Sequence, residues 1–244
     1  MALRPRRILH WNRRVASAID IIMKATANET IALKPTKARR RAPNADESRQ
    51  NILDVATEEF ARNGLSGSRI DEIAARTDTS KRMIYYHFGD KEGLYLAVLE
   101  SVYQKIRAVE ETLRIEHLEP EKALKRLIEF TFDYQNSNED FIRLVMIENI
   151  HHGVHLAKSK KIRDLNVTVI DAIAGLYDRG VKAGVFRRGL DPVDLHWFIS
   201  ALCFFNVSNR ATFSKIFDTD MASAINTVAR RDAIVEMVMR FVLK

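Results

Sequence analysis

The chain has few of the residues that break or cross-link secondary structure. Its 244 residues include 9 Gly and 5 Pro, a content that favours helices over a turn-rich β fold. The one cysteine, Cys203, excludes an internal disulfide and a cysteine-based zinc site, and it is typical of a reducing compartment. The most apolar stretch, residues 195–209, is too short to span a bilayer. We therefore expect a helical, cytoplasmic protein without a membrane segment.

Sequence motifs for catalysis and cofactor binding are also missing. The sequence has no glycine-rich phosphate loop, no dinucleotide fingerprint, no Gly-x-Ser-x-Gly and no His-Glu-x-x-His. His151 and His155 are four residues apart, but Gly153 interrupts the helix between them and no cysteine lies nearby. The sequence predicts no catalytic residue, no cofactor and no metal site, so an enzyme is the weakest of the candidate classes.

The positive charge is concentrated at the N-terminal end. The net charge is +7, yet residues 1–45 carry 11 Lys and Arg against two acids, which leaves the rest of the chain slightly acidic. Such a segment favours attraction to nucleic acid or to another anionic surface. We expect residues 1–45 to be a basic, disordered tail. The alternatives are a leader without a binding role and a true start at Met23.

Residues 46–92 have the pattern of three helices. Apolar residues recur at helical spacing up to Gly64, which supplies a common C-terminal stop. Ser68 is placed to cap a second, short helix and Ser80 a third, with Asp78 in the three-residue turn between them. Two short helices joined by a tight turn, after a longer helix, are the layout of a helix-turn-helix domain.

Residues 93–244 predict a larger domain of longer helices. No segment alternates with the two-residue period of a strand, so the fold class is all-α. Two late helices, 195–205 and 234–243, are apolar nearly all round, which requires cover on every side. We expect a homodimer through the helices around 191–209 and 229–243; the alternative is deep burial within one subunit. The other predicted helices run over 91–115, from 120, over 140–151 and over 156–183.

The third helix of the first domain carries the residues that indicate a function. Lys81 and Arg82 lie in its first turn, where cations are unfavourable for the helix itself, so we expect another partner for them. A recognition helix places its N-terminal residues against base edges in the major groove, where Lys and Arg donate to guanine. The Tyr-Tyr-His that follows can donate to phosphate, and Lys91 adds charge from the next helix. These residues predict binding to double-stranded DNA.

Four short motifs in this region are similar to those of a known family. They are residues 60–64 (Phe-Ala-Arg-Asn-Gly), 70–74 (Ile-Asp-Glu-Ile-Ala), 85–88 (Tyr-Tyr-His-Phe) and 91–94 (Lys-Glu-Gly-Leu). With them, the chain resembles the TetR family of transcriptional regulators over about residues 48–99. The resemblance implies a three-helix DNA-binding domain attached to a larger helical domain that dimerises and binds a small molecule. The turn at 77–79 departs from the family pattern, since it reads Thr-Asp-Thr where Ala-Gly-Val is common.

The resemblance also implies roles for individual residues at the DNA. The implied set is Ser68, Arg69, Ser80, Lys81, Arg82, Met83, Tyr85, Tyr86, His87 and Lys91. Lys81, Arg82 and Met83 fall on base-reading positions, whereas Tyr85, His87 and Lys91 fall on phosphate-contacting ones. Tyr86 has an alternative, which is to pack beneath the third helix.

A family pocket among the middle helices implies a second set of candidates for effector binding. This set is Glu148, Asn149, His151, His152, Trp197 and Phe204. For Trp197 and Phe204 the alternative is an ordinary core or dimer contact.

We expect a homodimeric repressor that binds a palindromic operator and is released from it by a small-molecule effector. One alternative is a transcriptional activator of the same architecture. Another is a ligand- or partner-binding helical dimer with degenerate DNA binding, which the acidic Asp78 in the turn favours.

Overall fold

The computed structural model describes residues 45–244. The predicted basic tail and the alternative start at Met23 lie outside the described residues, apart from Ala45, where the first helix begins. Ten α-helices form this part of the chain, with no strand beyond a single bridge between Phe186 and Leu243, so the all-α fold class is confirmed. The helices are α1 Ala45–Gly67, α2 Ile70–Arg76, α3 Lys81–Phe88, α4 Lys91–Glu111, α5 Pro120–Ser137, α6 Glu139–Ile150, α7 Lys160–Lys182, α8 Pro192–Ser208, α9 Arg210–Ile216 and α10 Ala224–Val242.

Side-chain caps begin five of the described helices, among them α3, whose cap at Ser80 is one that the sequence predicts. Ser80, Asp90 and Asp191 accept hydrogen bonds from backbone N–H groups in the first turns of α3, α4 and α8. Gly64 has a φ of 66°, which ends the regular part of α1 with a kink. Asp78 has a φ of 50°, the left-handed conformation expected for the turn between α2 and α3.

The cap predicted at Ser68 is wrong. The N-cap residue of α2 is Arg69, which makes no capping hydrogen bond with its side chain. Ser68 is 3% exposed, and its hydroxyl contacts the carbonyl oxygens of Gly64 at 2.6 Å and Glu59 at 3.1 Å. The Gly64 carbonyl oxygen also accepts from the backbone N–H of Ser68 at 3.2 Å, so Ser68 is bound to the end of α1 and does not cap α2.

Several bounds in the second half differ from the prediction. Helix α4 ends at Glu111 and a separate 3-10 turn, Ile115–His117, follows it. Another 3-10 turn, Leu156–Lys158, precedes α7, whose start is capped by Ser159. Helix α9 was not expected, and α10 begins at Ala224 rather than at residue 229.

The first of two hydrophobic cores joins α1–α4 with α6. Its fully buried members include Phe60 on α1, Ile84 on α3, Tyr95 on α4 and Leu144 on α6. The rings of Phe60 and Tyr95 meet edge to face with centroids 5.1 Å apart. Since this core continues from the three N-terminal helices into α6, it crosses the predicted domain boundary at 92/93, which stays a prediction.

The second core lies among α5, α7, α8 and α10, with Leu124, Ile173, Ile199 and Val238 among its buried residues. The outer faces of α8 and α10 are apolar as well. Five large side chains on them are 37–69% exposed: Trp197, Phe198, Phe205, Met237 and Phe241. Deep burial of these helices within one subunit, the alternative to a homodimer, is therefore wrong. None of the described helices combines the length and hydrophobicity that a membrane crossing needs.

Candidate nucleic-acid interface and effector site

Helix α3 turns one face to the core and the other to solvent. Ile84 is fully buried and anchors the helix against its neighbours. Met83, Tyr85 and Tyr86 are exposed by 42%, 43% and 79%, and Arg82 is exposed beside them. The alternative for Tyr86, packing beneath the helix, is therefore wrong. The arrangement presents a continuous row of polar and aromatic side chains that a DNA groove can accept.

The charged residues around α3 differ in how far they are committed to partners inside the chain. Lys81 pairs with Asp71 of α2, but both side chains are about half exposed, so this pair is weak and DNA can compete for the lysine. Arg82 makes no hydrogen bond or ion pair with any described residue. Lys91 Nζ donates to the carbonyl oxygen of Ser66 at 3.4 Å. All three cations remain accessible to a polyanion.

Two other residues of the predicted DNA-binding set differ in exposure. Arg69, at the start of α2, is exposed, whereas Ser68 is buried and its hydroxyl is occupied inside the fold. We therefore correct the predicted set by removing Ser68. His87 is half-buried, with its ring centroid 5.4 Å from that of Tyr86. Ser80 is exposed at the cap of α3.

The six predicted effector residues do not converge on one cavity, which corrects that prediction. Asn149, His151 and His152 are exposed at the end of α6, where the helix stops and the chain turns. Trp197 is 69% exposed on the outer face of α8, and Phe204 packs partly against the first core. The periodicity of the sequence identified these helices but not the faces that they turn toward one another.

Glu148 has a structural role instead. It is 1% exposed, and its Oε1 accepts from the Tyr95 hydroxyl at 3.0 Å and lies 2.9 Å from His155 Nδ1. Its Oε2 accepts from the backbone N–H groups of His155 at 3.2 Å and Leu156 at 3.1 Å. Burial and, after it, the Glu148 carboxylate raise the pKa of Tyr95, so its hydroxyl stays protonated and donates. The carboxylate thus ties α4, α6 and the loop after α6 together.

A cavity of about 270 Å³ lies elsewhere, between the C-terminal end of α4, the following 3-10 turn, α5 and α7. Its walls are formed by Arg107, Glu110, Glu111, Arg114, Ile115, Glu116, Leu127, Leu165, Thr168, Val169, Ala172 and Ile173. None of these lining residues belongs to the set predicted from the sequence. The sequence offered one indication of a buried charge, which is Arg107 directly after the apolar Ile106 in α4. In the structure Arg107 is 8% exposed.

Comparison with known proteins identifies the family. Residues 52–98 match the family described as "Bacterial regulatory proteins, tetR family", and residues 120–238 match "Tetracyclin repressor-like, C-terminal domain". The chain is 35% identical over 190 residues to the transcriptional repressor NicS of Pseudomonas putida, which covers 78% of this chain and 90% of NicS. It is 33% identical over 162 residues to the repressor SCO4008 of Streptomyces coelicolor, which covers 66% of this chain and 78% of that protein.

Among solved structures, the fold is similar to that of FadR from Bacillus subtilis in complex with stearoyl-CoA. The TM-score is 0.61 at 20% identity, and the match covers 78% of this chain and 97% of FadR. The first match runs from α1 into α4 and includes α3, and the second runs from α5 into α10. The chain belongs to the TetR family of bacterial regulatory proteins, which are DNA-binding transcription regulators rather than enzymes.

Proposed function

We propose that the protein is a homodimeric repressor that binds a two-fold-symmetric operator in the cytoplasm and is released by a small-molecule effector. The observation that carries this proposal is helix α3, which is anchored by the buried Ile84 and presents unpaired Arg82 together with exposed Tyr85. The similarity to the repressors NicS and SCO4008 supports the direction of regulation.

The proposed contacts divide into base readers and phosphate binders. Lys81, Arg82 and Met83 at the start of α3 lie where a recognition helix meets base edges. The proposed phosphate binders are Arg69, Ser80, Tyr85, Tyr86, His87 and Lys91. Phosphate contacts hold the protein on the duplex without reading sequence, whereas an arginine that donates two hydrogen bonds to guanine discriminates among base pairs.

The proposed dimer interface is the exposed apolar surface of α8 and α10. Trp197 and Met237 are 69% and 51% exposed, and the rings of Phe198 and Phe241 meet 5.5 Å apart on this surface. A large exposed apolar patch is favourable only when a partner covers it. A second copy that uses the same patch generates a two-fold axis, and the operator must then share this symmetry.

The proposed release of the protein from its operator follows from the position of α4. Two residues separate this helix from α3. It packs on α1 and ends at the cavity. A ligand that binds better to one position of α4 than to another changes the spacing of the two recognition helices. Operator affinity then falls by the ratio of the ligand's affinities for the two states, and by no more.

Selection of binding sites from random DNA tests the proposal. The protein is used from Met1 and from Met23, at two salt concentrations, and we expect both forms to recover one two-fold-symmetric site. Arg82→Ala should relax the preference at one base pair, and Tyr85→Phe should weaken binding to all sequences alike, by about tenfold. Arg126→Ala, an exposed arginine on α5, is the matched control and should change neither. Salt-sensitive binding without sequence preference would refute the proposal.

A further inference from the structure

The cavity at the end of α4 has an apolar body. Six of its lining residues are aliphatic: Ile115, Leu127, Leu165, Val169, Ala172 and Ile173. Of these, Leu127, Val169 and Ile173 also belong to the second hydrophobic core. Its volume of about 270 Å³ is near the lower end of small-molecule sites, so the occupant is a small molecule with an apolar part.

One buried cation, Arg107, forms part of the wall. Its Nη1 pairs with Glu110, and its Nη2 donates to Asn166 Oδ1 at 3.3 Å. Its Nε is buried without a hydrogen-bond partner among the described residues. A guanidinium has five N–H donors, so these partners leave most of its capacity unused. A buried cation with unsatisfied donors is costly unless an acceptor arrives to pair with it.

Two tyrosine hydroxyls close to Arg107 add further hydrogen-bond donors. Tyr103 lies one turn earlier on α4, and Tyr134 lies on α5; their rings pack against Phe141 with centroids 5.4 and 6.4 Å away. Neither hydroxyl has a hydrogen bond to any residue between 45 and 244. Burial raises the pKa of both tyrosines, so the hydroxyls stay protonated and can donate.

The other charged residues of the cavity do not select the sign of the ligand. Glu110 is committed to Arg107, with both side chains 10–16% exposed. Glu111, Glu116 and Arg114 are exposed at the mouth, where solvent and salt screen their charges. Arg107 is the buried cation of this lining, and its Nε is a donor that Glu110 and Asn166 leave unused.

We propose that this cavity binds a small organic acid, whose carboxylate pairs with Arg107 and whose apolar part packs against α5 and α7. The proposal rests on the proposed function, because it names the chemical class of the effector. A carboxylate matches the fork geometry of a guanidinium, and the pair is stronger inside the protein than in water.

The test compares acids with their uncharged analogues. Benzoate, phenylacetate and hexanoate, each beside its primary amide, are titrated into the full chain by calorimetry, and operator binding is followed by fluorescence anisotropy. We expect acids from this set to bind about tenfold or more tightly than their own amides and to weaken operator binding. Amides or benzylamine that bind as well as the acids overturn the proposal, and so does a set in which no acid binds at millimolar concentration.

Variants locate the effect. Arg107→Met should abolish the preference for the acid over its amide, whereas Arg126→Met, which removes an exposed arginine next to Leu127, should keep it. Circular dichroism checks folding. If Arg107→Met does not fold, Arg107→Lys keeps the charge but loses the fork, and it should reduce the preference. An unchanged preference in a folded Arg107 variant overturns the proposal. A protein that binds acids but selects no operator refutes only the proposed function.

Discussion

Replacing Glu148 by glutamine measures how strongly the buried carboxylate ties α4 to α6. A carboxylate only accepts hydrogen bonds, and here two donors face each of its oxygens. Glutamine keeps one accepting oxygen and turns an NH₂ group toward the other pair, so two buried donors lose their partner. At about 1–3 kcal/mol for each unsatisfied donor, we expect Glu148→Gln to lower the free energy of unfolding by about 2–6 kcal/mol.

The matched control is Glu139→Gln on the same helix. Glu139 pairs with Arg143 at 2.8 Å, but both side chains are about half exposed, and such a pair contributes at most about 1 kcal/mol. The assay is equilibrium unfolding in guanidinium chloride at one fixed protein concentration, because the stability of the proposed dimer depends on concentration. Equal losses in the two variants would refute the reasoning. Tyr95→Phe should cost about 1 kcal/mol and be non-additive with Glu148→Gln.

Three other predictions concern packing and ionisation. Gly180→Ala should destabilise by about 1–3 kcal/mol because a Cβ would overlap the ring of Phe186, whereas Gly175→Ala on the same helix has open space and should be neutral or stabilising in chemical unfolding. Cys203 should react with a thiol reagent only after unfolding, because burial raises its pKa to about 12; rapid reaction of the folded protein would contradict this. Burial and, after it, the positive charge of Arg107 lower the pKa of His196 from 6.5 to about 4. The unfolded chain therefore binds the proton first, and stability should fall between about pH 6.5 and 4, with a shallower fall in His196→Gln.

The bounds and the exposed face of α3 could be predicted because their signals are local. Helix α3 begins after Ser80 and ends before Gly89 because a cap and a glycine with a φ of 80° fix both ends within one turn. The exposed positions then follow from one buried residue, Ile84, and the helical period. Ser68 has the same local pattern as a cap, yet its hydroxyl contacts the carbonyl oxygens of Glu59 and Gly64 in α1, and the local pattern does not show this contact.

The surroundings of the predicted effector residues could not be predicted in this way because they depend on distant contacts. His152 and Gly153 both have positive φ, at 56° and 68°, and they turn the chain back so that His155 reaches Glu148. His151 and His152, which belong to the predicted effector set, therefore lie exposed, whereas His155 contacts the buried Glu148. The first turns of α10 were missed for a related reason, since Ile225 is 83% exposed and gives the pattern no buried face.

Helix α4 connects the two halves of the proposed mechanism. Tyr95 near its start contacts Phe60 of α1 and Glu148 of α6, and Arg107 near its end lines the cavity. Tyr95 and Arg107 are 12 positions apart on α4, which corresponds to about 18 Å along the helix. In the proposed mechanism, the Glu148 network is the pivot of this helix. A ligand that draws Arg107 toward the cavity must either rotate α4 about this pivot, which moves α1 and α3 with it, or break buried hydrogen bonds. Rotation is the cheaper response, because it keeps the hydrogen bonds of Glu148 and the contact between Phe60 and Tyr95.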